Sequence, residues 1–183
     1  MSEARRHRLP GDRLPAAEVE RLIRVDHAGE FGATRIYRGQ LDVLPQGRGA
    51  GEILKMAEAE RRHLAAFEML LCQRRVRPTL LQPLWSVAGY ALGAATALLG
   101  ERAAMACTVA VEEVIDEHYR DQAERLAGEE RELTETILGF RDDEIAHRGV
   151  AIAQGAEETA GYELLRAMIK TGSRLAIWLS TRA

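Results

Sequence analysis

The decisive stretches of this chain are Glu60-Arg61-Arg62-His63 and Glu144-Ile145-Ala146-His147, which carry the same Glu-x-x-His pattern. Each copy follows a glutamate that stands seven residues before a tyrosine, namely Glu30 with Tyr37 and Glu112 with Tyr119. Positions i and i+3 share one face of an α-helix, so each pattern directs a carboxylate and an imidazole to one point. Two such pairs, with one glutamate from each of two further helices, are typical of carboxylate-bridged di-iron bundles.

The composition is that of an ordinary globular chain. Its 183 residues are enough for one domain with a full core, and 46% are hydrophobic while 29% are charged. A formal charge of -3 gives no indication of nucleic acid binding. The two cysteines, Cys72 and Cys107, lack Cys-x-x-Cys spacing, so they predict neither a zinc site nor a disulfide framework.

Helix-forming residues dominate, and neither strand-like alternation nor hairpin signals occur, so we predict an all-α fold. Residues 1–15 are predicted to form a flexible tail and residues 16–183 a single ferritin-like di-iron domain. The proline and glycine breakers place four helices at about residues 15–44, 52–74, 102–127 and 129–154. These helices carry every residue of the repeated pattern.

Two further segments are apolar. Residues 78–100 contain no charged side chain, and their prolines and small polar residues favour a long crossover helix between bundle halves over a membrane span. A last helix, about Tyr162 to Ser180, is amphipathic and basic, with Trp178 near its end. It fits a helix lying in a membrane interface or, equally, a core helix capped by surface arginines.

The pattern predicts six metal ligands: Glu30, Glu60, His63, Glu112, Glu144 and His147. We assign Glu60 and Glu144 as bridges, because each shares a helix face with a histidine. Two ferrous ions would balance four glutamates, which would otherwise be costly to bury. An isolated Glu-x-x-His is also compatible with a solvated surface pair, but the matched tyrosines and spacings favour the metal site.

Several neighbours are candidates for supporting roles. Asp26 and Asp116 lie one turn from proposed ligands and are candidates to hold a histidine ring, or else are surface charges. His118 and Tyr119 are candidate proton or electron relay residues. A core tyrosine with a satisfied hydroxyl and a structural histidine are the alternatives.

The chain resembles the demethoxyubiquinone hydroxylases of ubiquinone biosynthesis. The resemblance runs from about Arg21 to Arg182 and rests on these strings: Arg24–Ala33, Arg35–Tyr37, Val76–Thr79, Pro83–Trp85, Gly93–Ala94, Thr96–Gly100 and Ala104–Glu113. It implies a ferritin-like four-helix bundle with a long apolar crossover helix and an amphipathic C-terminal helix. All six predicted ligands have counterparts in the family.

The resemblance also implies the chemistry. The family adds a hydroxyl group to the ring of a polyprenyl demethoxyubiquinol, using oxygen, two iron ions per chain, and electrons from NADH or the quinol. It implies a peripheral membrane protein that takes its substrate from the bilayer, with protein partners from ubiquinone biosynthesis. We expect the cytoplasmic face of a bacterial inner membrane, or the matrix side of the mitochondrial inner membrane if the source is eukaryotic.

By the same resemblance, Arg21, Trp178 and Arg182 are the candidate NADH contacts. The chain has no Gly-x-Gly-x-x-Gly loop, so this nicotinamide site would not be a Rossmann one. Trp178 stands where members often have tyrosine, and Phe31 also replaces a common tyrosine. Two alternatives remain: a ferritin-like protein that handles iron or peroxide, and a metal-free, membrane-associated helical adaptor.

Overall fold

A computed structural model describes residues 16–126 and 128–182, and the tail predicted for residues 1–15 lies outside that part. The described chain contains six α-helices and one short 3-10 turn. Their bounds are α1 Ala16–Val43, α2 Ala50–Arg74, α3 Gln82–Leu98, α4 Glu101–Leu126, α5 Arg131–Ala153 and α6 Tyr162–Ser180, with the turn at Ala156–Glu158. The predicted all-α class is confirmed.

Helices α1, α2, α4 and α5 are the four that the repeated pattern predicted, and their ends agree with the prediction to within about two residues. The differences are at the termini, where helices fray and the exact first and last residues are poorly defined. The 3-10 turn was not predicted. It follows Gly155, whose φ of 84° lets the chain leave α5 through the left-handed region.

Of three apolar clusters in the described residues, one joins α1 and α4 to α6 through Ile36, Val111 and Ile169, and the other two fill the ends of the four-helix bundle. Of these two, the first packs the beginning of α1 and α5 against the end of α2 and α4, with Ile23, Phe67, Leu126 and Ile137 fully buried. The second packs the opposite ends of the same helices, and includes Ile53, Met105 and Ala151. The buried charged residues lie between these clusters, near the middle of each helix.

Helix α3 packs mainly on α1, with the two backbones in close approach. A Cβ added at Gly89 would lie 2.8 Å from the carbonyl oxygen of Gly32, and one at Gly93 would overlap the carbonyl oxygen of Ile36. The absence of side chains at these positions therefore allows the crossover helix to lie flat on the bundle. Among the described residues, no helix combines the length and the apolar character needed to span a bilayer.

Helix α6 packs mainly on α4 with its charged face inward. Arg166 and Lys170 bond the carboxylate of Glu113, and Arg174 bonds that of Glu117.

Only Ile169 and Ser180 are buried in α6, whereas Leu164, Met168, Leu175 and Trp178 are more than half exposed. Of the two alternatives for this helix, a core helix capped by surface arginines does not agree with the structure, because its basic residues pair with α4 while four large apolar side chains are exposed.

Candidate metal centre

The middle of the bundle holds the six predicted ligands. Helix α2 presents Glu60 and His63, α5 presents Glu144 and His147, and α1 and α4 each present one glutamate. The four glutamates and His63 are at most 1% exposed, and His147 is 9% exposed. Groups this polar are rarely buried unless partners or metal ions compensate them.

Their ligand atoms form two overlapping groups, within each of which all atoms lie within 4.8 Å of one another. The first contains Glu30, Glu60, His63 and Glu144, and the second contains Glu60, Glu112, Glu144 and His147. Glu60 and Glu144 belong to both, while each of the other four belongs to one. This arrangement could hold two cations, with two shared carboxylates between them.

Distances within the cluster are short. The Nδ1 atom of His63 lies 3.1 Å from Glu144 Oε1 and 3.6 Å from Glu30 Oε2. The Nδ1 atom of His147 lies 3.2 Å from an oxygen of Glu60 and 3.2 Å from one of Glu144. Both imidazoles therefore present the same nitrogen to the carboxylates.

The residues fit a pair of divalent cations. Six buried ligand atoms lack a hydrogen-bond partner: Oε2 of Glu30, both carboxylate oxygens of Glu60, Nδ1 of His63, Oε2 of Glu112 and Oε1 of Glu144. Such atoms are costly to bury unsatisfied. Carboxylate and imidazole donors converging at this number and distance suit a borderline or hard ion such as iron.

Burial and mutual repulsion shift the protonation of these groups. Burial, and then the charge of neighbouring carboxylates, raises the pKa of Glu60 and Glu112 well above 4.5, and burial also raises the pKa of Glu144. Burial would lower the pKa of His63, but the nearby carboxylates of Glu144 and Glu30 raise it to about 10. Without a cation, protons must neutralise the cluster, so metal loading displaces protons.

This leads to a prediction for the metal-free protein. Above pH 4.5 its folded state holds carboxyl protons that the unfolded chain has released, so the free energy of unfolding should fall as the pH rises from about 5 to about 8. His63 acts in the same direction, while the lowered pKa of His147 opposes it. Urea unfolding after chelation would measure this. A metal-free protein that gained stability over that range would contradict it.

The tyrosines explain the repeated marker. The hydroxyl of Tyr37, on the helix of Glu30, donates to Glu112 Oε1 at 2.8 Å, and the hydroxyl of Tyr119, on the helix of Glu112, donates to Glu30. Burial, followed by the charge of these carboxylates, raises the pKa of both tyrosines well above 10, so both stay protonated as donors. The repeated Glu–Tyr spacing therefore corresponds to two reciprocal hydrogen bonds, in which the tyrosine of each helix donates to the glutamate of the other.

Of the two aspartates predicted either to hold a histidine ring or to be surface charges, Asp26 is buried and contacts the ring of His118, and neither contacts a candidate ligand histidine. Asp26 accepts from Gln122 at 2.7 Å and lies 3.1 Å from Nε2 of His118, and Asp116 pairs with two arginines of α5. Sequence distance along one helix placed them near the ligands, but their side chains face other partners. Asp143 takes that role instead, because its Oδ2 lies 3.0 Å from Nε2 of His63. His118 and Tyr119 remain predicted relay residues.

The predicted nicotinamide contacts are only partly assembled. The guanidinium of Arg182 stacks over the ring of Trp178 at 3.8 Å and donates to its carbonyl oxygen at 2.8 Å. Arg21 lies 3.7 Å from Glu18 on its own helix, and no described contact joins it to that pair. The assignment of these three residues to NADH stays a prediction.

An apolar cavity of about 260 Å³ lies beside the cluster of candidate ligands, between α1, α3, α4 and α6. Its inner wall includes Gly29 and Val111, the chain neighbours of Glu30 and Glu112. Trp85 and Ser180 also line it, and the indole Nε1 of Trp85 donates to the hydroxyl of Ser180 at 3.0 Å. The sequence showed the apolar crossover but not the space beneath it.

A family model described as "Ubiquinone biosynthesis protein COQ7" matches residues 17–180 of the chain. The chain belongs to this family. The resemblance noted above is confirmed, and the family's ferritin-like fold agrees with the helical bundle. Membership also confirms the prediction of a hydroxylating oxidoreductase.

Curated relatives cover most of the chain. A "3-demethoxyubiquinol 3-hydroxylase" of Rhodospirillum rubrum is 54% identical over 176 residues, which are 96% of this chain and 83% of that protein. A human "NADPH-dependent 3-demethoxyubiquinone 3-hydroxylase, mitochondrial" is 49% identical over 93% of this chain and 81% of its own length. The yeast "5-demethoxyubiquinone hydroxylase, mitochondrial" is 42% identical over 91% and 79%.

Proposed function

We propose that this protein hydroxylates the ring of a polyprenyl demethoxyubiquinol in ubiquinone biosynthesis, with oxygen as co-substrate. The observation that carries the proposal is the pair of buried ligand groups sharing Glu60 and Glu144, in a chain whose relatives are named for this reaction. A metal-free adaptor would gain nothing to offset the energetic cost of burying six candidate ligand atoms without hydrogen-bond partners.

In this proposal the six residues would hold two iron ions. Glu60 and Glu144, which belong to both ligand groups, would be shared between the ions, while Glu30 with His63 and Glu112 with His147 would each serve one of them. Tyr37 and Tyr119 donate to the terminal glutamates, which fixes those carboxylates and keeps a proton beside each of them. Bound iron supplies the redox chemistry that activates oxygen, and the protein supplies geometry and a dry surrounding.

The apolar cavity is proposed to bind the substrate. Its walls are aliphatic side chains and glycines, with few polar groups, and it passes directly beside two ligand-bearing helix segments. A quinol head group seated at the inner end would face the cluster, and the first isoprenoid units would fill the space towards Trp85. The same walls exclude water from the reacting ring.

Filling the cavity should weaken substrate binding. Ala176→Phe places a ring into the α6 wall, and displacing two buried methylene groups costs about 1.6 kcal/mol, or roughly fifteenfold in KM. Iron content should be unchanged, because α6 carries no ligand. Ala167→Phe is the matched control, since Ala167 is exposed on the same helix and does not line the cavity. Equal KM values for the two variants would refute the assignment of the cavity.

A peripheral membrane location is the second part of the proposal. Large apolar side chains are exposed along and beside α3 and along α6, which form the outer walls of the cavity: Leu80, Leu84, Val87, Leu98, Leu99, Leu164, Met168, Leu175 and Trp178. Such a patch indicates contact with a membrane or a partner. The side would be the cytoplasmic face of a bacterial inner membrane, or the mitochondrial matrix side if eukaryotic. Failure to co-sediment with phospholipid vesicles would count against it.

The reductant is proposed to be a nicotinamide or the quinol itself. The predicted donor was NADH, and the names of several eukaryotic relatives describe them as NADPH-dependent. Arg21, Trp178 and Arg182 are the residues proposed to bind it. Unchanged nicotinamide KM in Arg182→Ala would remove that residue from the site.

One experiment tests the reaction. Purified protein is loaded with iron and supplied with demethoxyubiquinol, oxygen and reductant, and the hydroxylated ring is measured by chromatography. Two irons per chain and a product whose new oxygen comes from labelled O₂ would support the proposal. A protein that oxidises iron or reduces peroxide, and whose turnover does not depend on the quinol, would instead support the iron- or peroxide-handling alternative.

A further inference from the structure

The two histidines of the cluster are held differently. Nε2 of His63 lies 3.0 Å from Asp143 Oδ2, while Nδ1 faces the carboxylate of Glu144 at 3.1 Å, so Nδ1 is the nitrogen available to a cation. The ring of Phe140 also stacks on the His63 imidazole, with ring centroids 4.1 Å apart. A hydrogen bond at the outer nitrogen fixes both the tautomer and the orientation of the ring, and it raises the basicity of the inner nitrogen.

His147 has no such support within residues 16–126 and 128–182. Its Nδ1 faces Glu60 and Glu144, but no hydrogen bond is made at Nε2. The repeat shows why. Asp143 directly precedes Glu144, whereas the residue that directly precedes Glu60 is Ala59, whose side chain has no hydrogen-bond acceptor. His147 is also the most exposed of the six ligands, at 9%.

We infer that the two cation positions are unequal, and that Asp143 is the positioning residue that makes them so. The position built from Glu30, His63 and the two shared glutamates is the tighter one and fills first. The position that includes Glu112 and His147 is the weaker one, and its ion exchanges with solvent. This inference rests on the proposed metal centre.

Anaerobic equilibrium dialysis with Fe(II) alone tests the inequality. The wild-type protein should bind two ions in two steps that differ by at least about tenfold in affinity. Asp143→Asn should weaken the tighter step by about 10–100-fold, which is the usual cost of losing an outer partner of a ligating histidine. The weaker step should change little.

Asp142→Asn is the matched control. Asp142 is exposed, adjacent in sequence and equal in charge, and it makes no described contact with His63. It should leave both steps within about twofold, because a screened surface charge contributes little. Asp143 is itself 52% exposed in its side chain, so its replacement should fold, which thermal unfolding would verify.

A second readout separates positioning from general electrostatics. In protein loaded with Co(II), one slowly exchanging, paramagnetically shifted imidazole N–H resonance is expected from His63, and it should be lost in Asp143→Asn alone. Two equal affinities in the wild type, or equal losses in both variants, would overturn the inference but leave the proposed function standing. Absence of any bound cation would overturn both.

Discussion

Glu60→Gln is expected to abolish iron binding and hydroxylation while leaving the fold intact. Glu60 belongs to both ligand groups, so the change removes a donor from each cation position at once. The loss of activity should therefore exceed the roughly 100-fold that loss of an outer hydrogen bond costs. Iron per chain and hydroxylated product, measured on the same preparation, are the readouts.

Stability of the metal-free variant distinguishes loss of ligation from misfolding. Burial raises the pKa of Glu60 well above 4.5, so a neutral amide of the same shape replaces a group that is disfavoured in its charged form. Metal-free Glu60→Gln should therefore be at least as stable as the metal-free wild type at pH about 8. Glu58→Gln is the control, since Glu58 is exposed on the same helix. Two irons retained in Glu60→Gln would contradict the assignment.

Gly93→Ala should destabilise the protein by about 1–3 kcal/mol, the usual cost of adding volume to a packed contact. The added methyl group would overlap the carbonyl oxygen of Ile36, and a backbone atom cannot move aside as a flexible side chain can. Helix α3 must then shift away from α1. Because Gly89 and Leu92 of α3 line the cavity, the variant should also have altered affinity for the quinol.

Gly149→Ala provides the comparison for that change. Gly149 lies in the interior of α5, is exposed, and has nothing within 4 Å of an added Cβ. Alanine there should raise stability by up to about 1 kcal/mol through helix propensity alone. Denaturant unfolding of both variants would test whether the free energy of unfolding falls in Gly93→Ala and rises in Gly149→Ala. The close helix contact would be disproved by a Gly93→Ala protein as stable as the wild type.

Three findings at the periphery of the site lay beyond sequence reasoning. Asp26 and Asp116 were predicted from their spacing along a helix, yet which residue a side chain bonds depends on the neighbouring helices. Asp143 was assigned no role from the sequence, and its contact with His63 joins α5 to α2 across the bundle. The apolar cavity likewise depends on the relative positions of four helices, which the sequence does not show.

The sequence by itself determined the helices, the inward placement of the six candidate ligands and the membership of Glu60 and Glu144 in both ligand groups. Helical spacing is a local property, and a duplicated pattern repeats it in both halves. Tertiary structure alone decided that each tyrosine donates to the glutamate of the opposite helix, and that, within residues 16–126 and 128–182, only His63 of the two candidate ligand histidines has an outer carboxylate partner. It also decided that α6 pairs its basic residues with α4 and exposes large apolar side chains. These features depend on which helix faces which, and periodicity along a single chain does not encode that choice.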